Sequence, residues 1–139
     1  MTYSFRQIDV FGSGPFTGNP VAVVLGADDL ETEAMKRISA WTNLSECTFV
    51  LEPTDPAADY RVRIFSLTTE LPFAGHPTLG TARAWLDAGG VPANAGRVIQ
   101  ECGVGLVPVR LDADGQTLAF AAPALIRGGE VEADVLADV

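Results

Sequence analysis

Histidine, cysteine and positive charge are the scarce commodities of this chain. His76 is the sole histidine and Cys47 and Cys102 are the two cysteines among 139 residues. Two distant thiols make neither a disulfide framework nor a close-spaced zinc pair, so both are expected reduced and structural. A lone histidine without partners at ligand spacing argues against a metal site. Lys and Arg number 9 against 18 Asp and Glu, and the net charge of −9 repels phosphates. Nucleic-acid and anionic-membrane partners are therefore disfavoured. No run approaches the roughly 18 apolar residues of a membrane span, and Met1 to Arg6 lack a signal peptide's apolar core. Cytoplasmic residence is the expectation. A Gly-Lys-Ser/Thr sequence is also missing, which excludes a P-loop.

Apolar material is plentiful, with 47% hydrophobic and 19% charged residues, and the length suits one domain with one core. Residues 3–12 are rich in β-formers, but the apolar face shifts parity between Phe5 and Ile8, which predicts a bulge at Arg6 and Gln7. Turn residues lead from Gly12 to Pro20, and the apolar run Val21 to Leu25 predicts a buried strand. Asp28 and Asp29 are cap candidates for a surface helix with Leu30, Ala34, Ile38 and Trp41 at helical spacing. Strands are expected over 45–52 and 59–66, the latter alternating Tyr60, Val62 and Ile64 against Arg61 and Arg63.

A second helix is expected over 77–88, with Pro77 as its first residue and Gly89-Gly90 as its stop. Its apolar and small residues lie almost all round, so it should be buried, and Gly80, Ala82 and Ala84 should let strands approach closely. Three more strands fit 96–102, 104–111 and 117–121, with turns at Gly103 and Asp112 to Gly115. The architecture is α+β, a sheet curled around the second helix. Glu130 to Val139 reads as an acidic helix opening that stops in mid-pattern, as expected of part of something longer.

Gly12, Gly14 and Gly18 invite a dinucleotide-loop reading, but that fingerprint leads into a helix, whereas here a β-run follows and Pro20 intervenes. His76 sits near the start of the buried helix, where backbone N–H groups and the dipole favour an anion. With Pro77 lacking a donor, the N–H groups of Gly75, His76 and Thr78 would receive a carboxylate; a purely structural cap fits equally. Strand alternation turns Cys47, Phe49 and Leu51 to one face and Glu46, Thr48 and Val50 to the other, so Cys47 points into the core and Glu46 away from it, toward a cleft. Glu46 is then either a solvated strand carboxylate or a general acid/base.

Four words carry a resemblance: Gln7-Ile8-Asp9-Val10-Phe11, Gly18-Asn19-Pro20-Val21-Ala22-Val23, Asn43-Leu44-Ser45-Glu46, and Glu70-Leu71-Pro72-Phe73-Ala74-Gly75-His76-Pro77-Thr78-Leu79-Gly80. In this order and spacing they resemble the N-terminal half of the PhzF (phenazine-biosynthesis-like) isomerases. The resemblance implies a diaminopimelate epimerase-like lobe, a mostly antiparallel, barrel-like curled sheet around a central helix, with the active site between two such lobes. It implies a cofactor-independent isomerase that moves a proton between carbons of a small carboxylated substrate. Glu46 matches the catalytic acid/base and His76 the substrate-orienting histidine, while Gly75, Asn19 and Ser45 match substrate-site positions. Relatives that use two thiols as racemases or epimerases carry a cysteine where Ala74 stands here, so that mechanism loses its base. By the same resemblance residues 1–128 form the first lobe, 129–139 begin the inter-lobe connection, and the second lobe is lacking. The chain is then expected to self-associate or pair with a complementary lobe; an inactive half-lobe serving as a binding or assembly module is the rival.

Overall fold

The computed structural model describes residues 3–10, 16–112 and 118–120. Strand β1 (Ser4–Val10) pairs antiparallel with β2 (Asn19–Leu25) in unbroken register from Ser4 opposite Leu25 to Val10 opposite Asn19. The expected bulge at Arg6 and Gln7 is not there. Instead Phe5 is turned outward and half exposed, and Arg6 takes the position in line with Ile8 and Val10. The aliphatic stem of an arginine can cover apolar surface where a hydrophobic residue would otherwise stand.

Helix α1 (Thr32–Thr42) carries the chain from β2 to the parallel strand β3 (Cys47–Leu51), which pairs antiparallel with β4 (Tyr60–Ser66). The short hairpin strand β5 (Thr69–Leu71), which no sequence signal announced, turns on Leu67 at φ 52 and covers the end of β4. Helix α2 (Gly75–Asp87) then crosses to β6 (Arg97–Cys102), parallel to the beginning of β4. Strands β7 (Gly105–Leu111) and β8 (Leu118–Phe120) follow as an antiparallel meander. The sheet order is β1-β2-β3-β4-β6-β7-β8. Helix α2 touches β1, β2, β3, β6 and β8. Because β1 and β8 are the two ends of that order, the sheet curls around α2, as the sequence predicts.

Side-chain alternation divides the apolar residues between two cores. Val21, Val23, Val50, Tyr60, Val62 and Ile64 pack toward α2. Ala22, Val24, Cys47, Phe49, Leu51 and Phe65 pack toward α1. All five residues of β3 are buried, so the face shared by Glu46, Thr48 and Val50 is not the solvent side of the sheet but the α2 core. On α1 the buried residues are Met35 and Ser39, whereas Trp41, expected to face the core, is 84% exposed. Asp28 and Asp29 do not cap this helix. Asp28 accepts the Glu52 N–H at 2.8 Å and Asp29 the Tyr3 hydroxyl at 2.9 Å, and Glu31 occupies the cap position without a side-chain bond.

Helix α2 begins two residues earlier than expected, at Gly75 rather than Pro77. Ala74, in extended conformation, accepts both the N–H (3.2 Å) and the hydroxyl (2.8 Å) of Thr78, and this opens the ladder. Pro77 is thus the third helical residue, where a missing N–H still costs nothing. Leu79, Ala82 and Ala84 have no exposure. A Cβ on Gly80 would lie 2.1 Å from Val21 Cγ1, so the helix and β2 are closer than any side chain there permits. The turn at Gly12 to Pro15, the Ala113 to Gly115 part of the expected turn, and everything from 121 onward, including the 129–139 segment, lie outside the described residues. Among the described residues no helix is long and apolar enough to cross a membrane.

Candidate active site

Parallel strands β2 and β3 start side by side, the Ala22 N–H donating to the Glu46 carbonyl at 3.3 Å. Asn19 opens β2, Glu46 immediately precedes β3, and His76 is the second residue of α2. Three segments distant in sequence therefore converge at one rim of the α2 core. His76 Nδ1 lies 2.7 Å from Glu46 Oε1, and His76 Nε2 lies 2.6 Å from the Asn19 carbonyl oxygen. The two side chains are largely withdrawn from water, 11% exposed for His76 and 20% for Glu46.

These contacts constrain the protons. A carbonyl oxygen only accepts, so Nε2 must carry a hydrogen toward Asn19. The contact between Nδ1 and Oε1 then needs one further proton, held either by Glu46 as a carboxylic acid beside neutral imidazole or by His76 as imidazolium beside carboxylate. Either way the pair shares one transferable proton at a half-buried position. That is the equipment of a general acid/base.

Glu46, His76 and Asn19 are thus brought together, Asn19 through its main chain and not its exposed side chain. Ser45 is exposed and makes no side-chain hydrogen bond among the described residues. Gly75 begins α2, and a Cβ there would come 2.6 Å from the tip of the Phe120 ring, so any side chain would have to displace that ring on β8. Of the three N–H groups expected to receive an anion, that of Thr78 is spent in the helix ladder, because the helix starts earlier; the Gly75 and His76 N–H groups precede the ladder. Ala74 holds the cap position and brings no thiol. Cys47, wholly buried, has its thiol pushed up to about 12 by desolvation, and the Cys102 thiol is raised as well, chiefly by burial.

Sequence reasoning missed the buried polar residues beneath the pair. Thr48, Thr78, Thr81 and Gln100 have no exposure. Gln100 Nε2 donates to Thr78 at 3.1 Å and its Oε1 accepts from Tyr60 at 3.0 Å. The available signal was the hydroxyls of Thr78 and Thr81 inside an otherwise apolar helix. A cleft of about 330 Å³ at the opposite end of α2 is lined by Asp28, Glu52 and Asp59. Asp28 and Asp59 are committed there to backbone N–H groups of Glu52, Ala93 and Ile99, which makes it a structural feature. Among the described residues no group of three His, Cys, Asp or Glu could hold a metal ion.

Comparison with known proteins bears on the family and the fold. The family of phenazine biosynthesis-like proteins (PhzC-PhzF) matches residues 8–124. A protein named antisense-enhancing sequence 1 from Schizosaccharomyces pombe is 50% identical over 112 residues, covering 81% of this chain and 38% of that protein. The trans-2,3-dihydro-3-hydroxyanthranilate isomerase of Pseudomonas aeruginosa is 48% identical over 118 residues, covering 84% of this chain and 41% of that enzyme. A crystal structure of a PhzF-family phenazine biosynthesis protein from Bacillus anthracis superposes with a TM-score of 0.76 at 30% identity, covering 89% of this chain and 42% of that one. The chain spans about two fifths of the length of the relatives it matches.

Proposed function

The chain belongs to the PhzC-PhzF family of phenazine biosynthesis-like proteins, and from that membership we propose that its Glu46–His76 pair is one half of the active site of a cofactor-independent isomerase. The observation that carries the proposal is the pair of contacts at 2.7 and 2.6 Å, which hold one transferable proton between Glu46 and a fixed imidazole. In this reading the Glu46 carboxylate removes a proton from one carbon of a small carboxylated substrate. The electron pair shifts through the adjacent double bond, and the same carboxyl returns the proton to another carbon. One C–H bond breaks, one forms, and no net oxidation occurs. The His76 ring orients Glu46, and the Gly75 and His76 backbone N–H groups at the first turn of α2 receive the substrate carboxylate, as a helix N-terminus favours; Asn19 and Ser45 border that site.

A dihydro-hydroxyanthranilate is the first compound to test, because a relative's name specifies it. Racemisation by paired thiols is the weaker alternative, since Ala74 stands where the thiol would be and Cys47 is buried and protonated. A catalytically silent lobe that binds or assembles is the non-enzyme alternative, and it predicts no exchange at all. The test is deuterium exchange into the candidate substrate from heavy water, followed by NMR. In any catalytically competent assembly containing this lobe, Glu46→Gln, whose amide keeps the shape but cannot take up a proton, should lower exchange about a hundredfold or more with the fold intact. His76→Ala should lower the exchange rate as well as substrate affinity, because it removes the group that orients Glu46. Exchange retained by Glu46→Gln would remove Glu46 from the chemistry, and no exchange by the intact chain under any assembly would leave the binding module.

A further inference from the structure

Beneath the Glu46–His76 pair, two threonines join the same strand to the same helix a second time. Thr48 and Thr81 have no solvent exposure, and their hydroxyl oxygens lie 2.8 Å apart. Thr81 Oγ1 also donates to the Pro77 carbonyl at 2.6 Å. Its single hydrogen is used there, so the Thr48 hydroxyl is the donor to Thr81. A one-way chain of hydrogen bonds therefore runs from β3 into the first turn of α2.

The spacing ties this chain to the pair above it. Glu46 and Thr48 share a face of the extended chain, two residues or about 7 Å apart. His76 and Thr81 are separated by five helical residues, about 7.5 Å along the axis. A single hydrogen bond between a strand and a helix leaves the helix able to slide or swing about it; two bonds at matched spacing do not. Elsewhere α2 is held by the Gln100–Thr78 hydrogen bond from β6, by the His76 contact with Asn19 and by the non-directional apolar packing of Leu79, Gly80, Ala82 and Ala84; the contacts of Glu46 with His76 and of Thr48 with Thr81 are the directional ones from the β3 side. Two apolar side chains of threonine's shape would fill the same space without any polar group to satisfy, so burial alone does not call for hydroxyls here.

We propose that Thr48 and Thr81 are positioning residues, whose buried hydrogen bond sets the register of α2 on β3 at which the His76 imidazole meets the Glu46 carboxyl. The proposal deepens the acid/base reading and rests on it. A displacement of about 1 Å at a reacting group can cost as much as a hundredfold in rate, so this register matters to chemistry although neither hydroxyl reaches substrate.

His76 is the sole histidine, which makes the test direct. In the full chain labelled with ¹⁵N-histidine, the two ring nitrogens are read by NMR without substrate. The wild-type chain should give one set of signals with Nε2 protonated toward Asn19, whichever of Glu46 and His76 holds the second proton. Thr48→Val, which leaves Thr81 still bonded to Pro77, should split or broaden that set as the ring samples the other tautomer. Thr48→Ser, which restores the hydroxyl, should return the wild-type spectrum. In the exchange reaction Thr48→Val should lower kcat about tenfold or more with KM within about threefold. A folded Thr48→Val chain with the wild-type histidine spectrum overturns the proposal. Should Thr48→Val fail to fold, Thr48→Ala, which adds no bulk beside Thr81, is read by the same two outcomes. Because the spectrum needs no substrate, a failure of the isomerase reading is distinguishable: Glu46→Gln would then retain exchange while Thr48→Val still disturbed the imidazole.

Discussion

Replacing Gly80 by alanine sets two well-known effects against each other in the middle of α2. Helix propensity alone favours alanine over glycine by about 1 kcal/mol. Against it, the new Cβ would sit 2.1 Å from Val21 Cγ1 and 3.2 Å from Val10 Cγ2, where an ordinary carbon contact is about 3.5–4.0 Å. Both valines are fully buried, β-branched and held in paired strands, so their side chains have little freedom to turn aside. The helix must lift by about 1.5 Å from β2, taking His76 with it. Overpacking of a dense core costs about 1–3 kcal/mol, and a contact this short belongs at the upper end. The net expectation is a loss of about 2 kcal/mol, or about 6–10 °C in Tm for a chain of this size. Urea unfolding followed by tryptophan fluorescence, with an unchanged m-value, measures it. A Gly80→Ala chain as stable as the wild type, or more so, would show that propensity wins and that the close approach of α2 to β2 is not real.

Three other outcomes follow from named contacts. Arg63 donates to both oxygens of Glu70 (2.9 and 2.8 Å), which holds the Glu70 carboxyl below its ordinary range and so adds stability above the unfolded pKa that is lost as pH falls through the folded one. Glu70 is 40% exposed, so Glu70→Gln should cost no more than about 1 kcal/mol near pH 7, and this difference should vanish at the acid end of a pH series of denaturation curves. Cys47, with its thiol up at about 12, holds roughly one thiolate in ten thousand at pH 8; in the native chain a thiol-specific reagent should label Cys102 first and reach Cys47 only on unfolding. Finally, on the proposal that Glu46 and His76 form one half of an active site, a second face must complete it: light scattering at micromolar concentration is expected to show self-association or a complex with a complementary lobe. A stable monomer would refute the association.

Period and punctuation in the sequence determined much of this fold. Tyr60, Val62 and Ile64 against Arg61 and Arg63 gave a strand with a definite inward face, and the small, apolar circumference of residues 79–86 called for an enclosed helix. The four motif words pointed to Glu46 and His76 before any coordinates, because residue types at fixed spacing survive in the linear chain. Where α2 begins was less legible: Pro77 is compatible with any of the first helical positions, and the bonds of Thr78 to Ala74 decided it. Local signals also misplaced the face of α1, because Trp41 meets the apolar criterion of a core residue while the described residues leave it largely exposed. They invented a bulge at Arg6, since hydrophobicity scales do not see that an arginine stem can lie along a core. Only the tertiary structure showed that β3 is buried on both faces, that Gly75 packs against the Phe120 ring, and that Thr48 reaches Thr81. Those facts depend on which elements meet across the sheet. A pattern of residues along one strand or helix records its own periodicity; it carries no record of what the curled sheet brings against it.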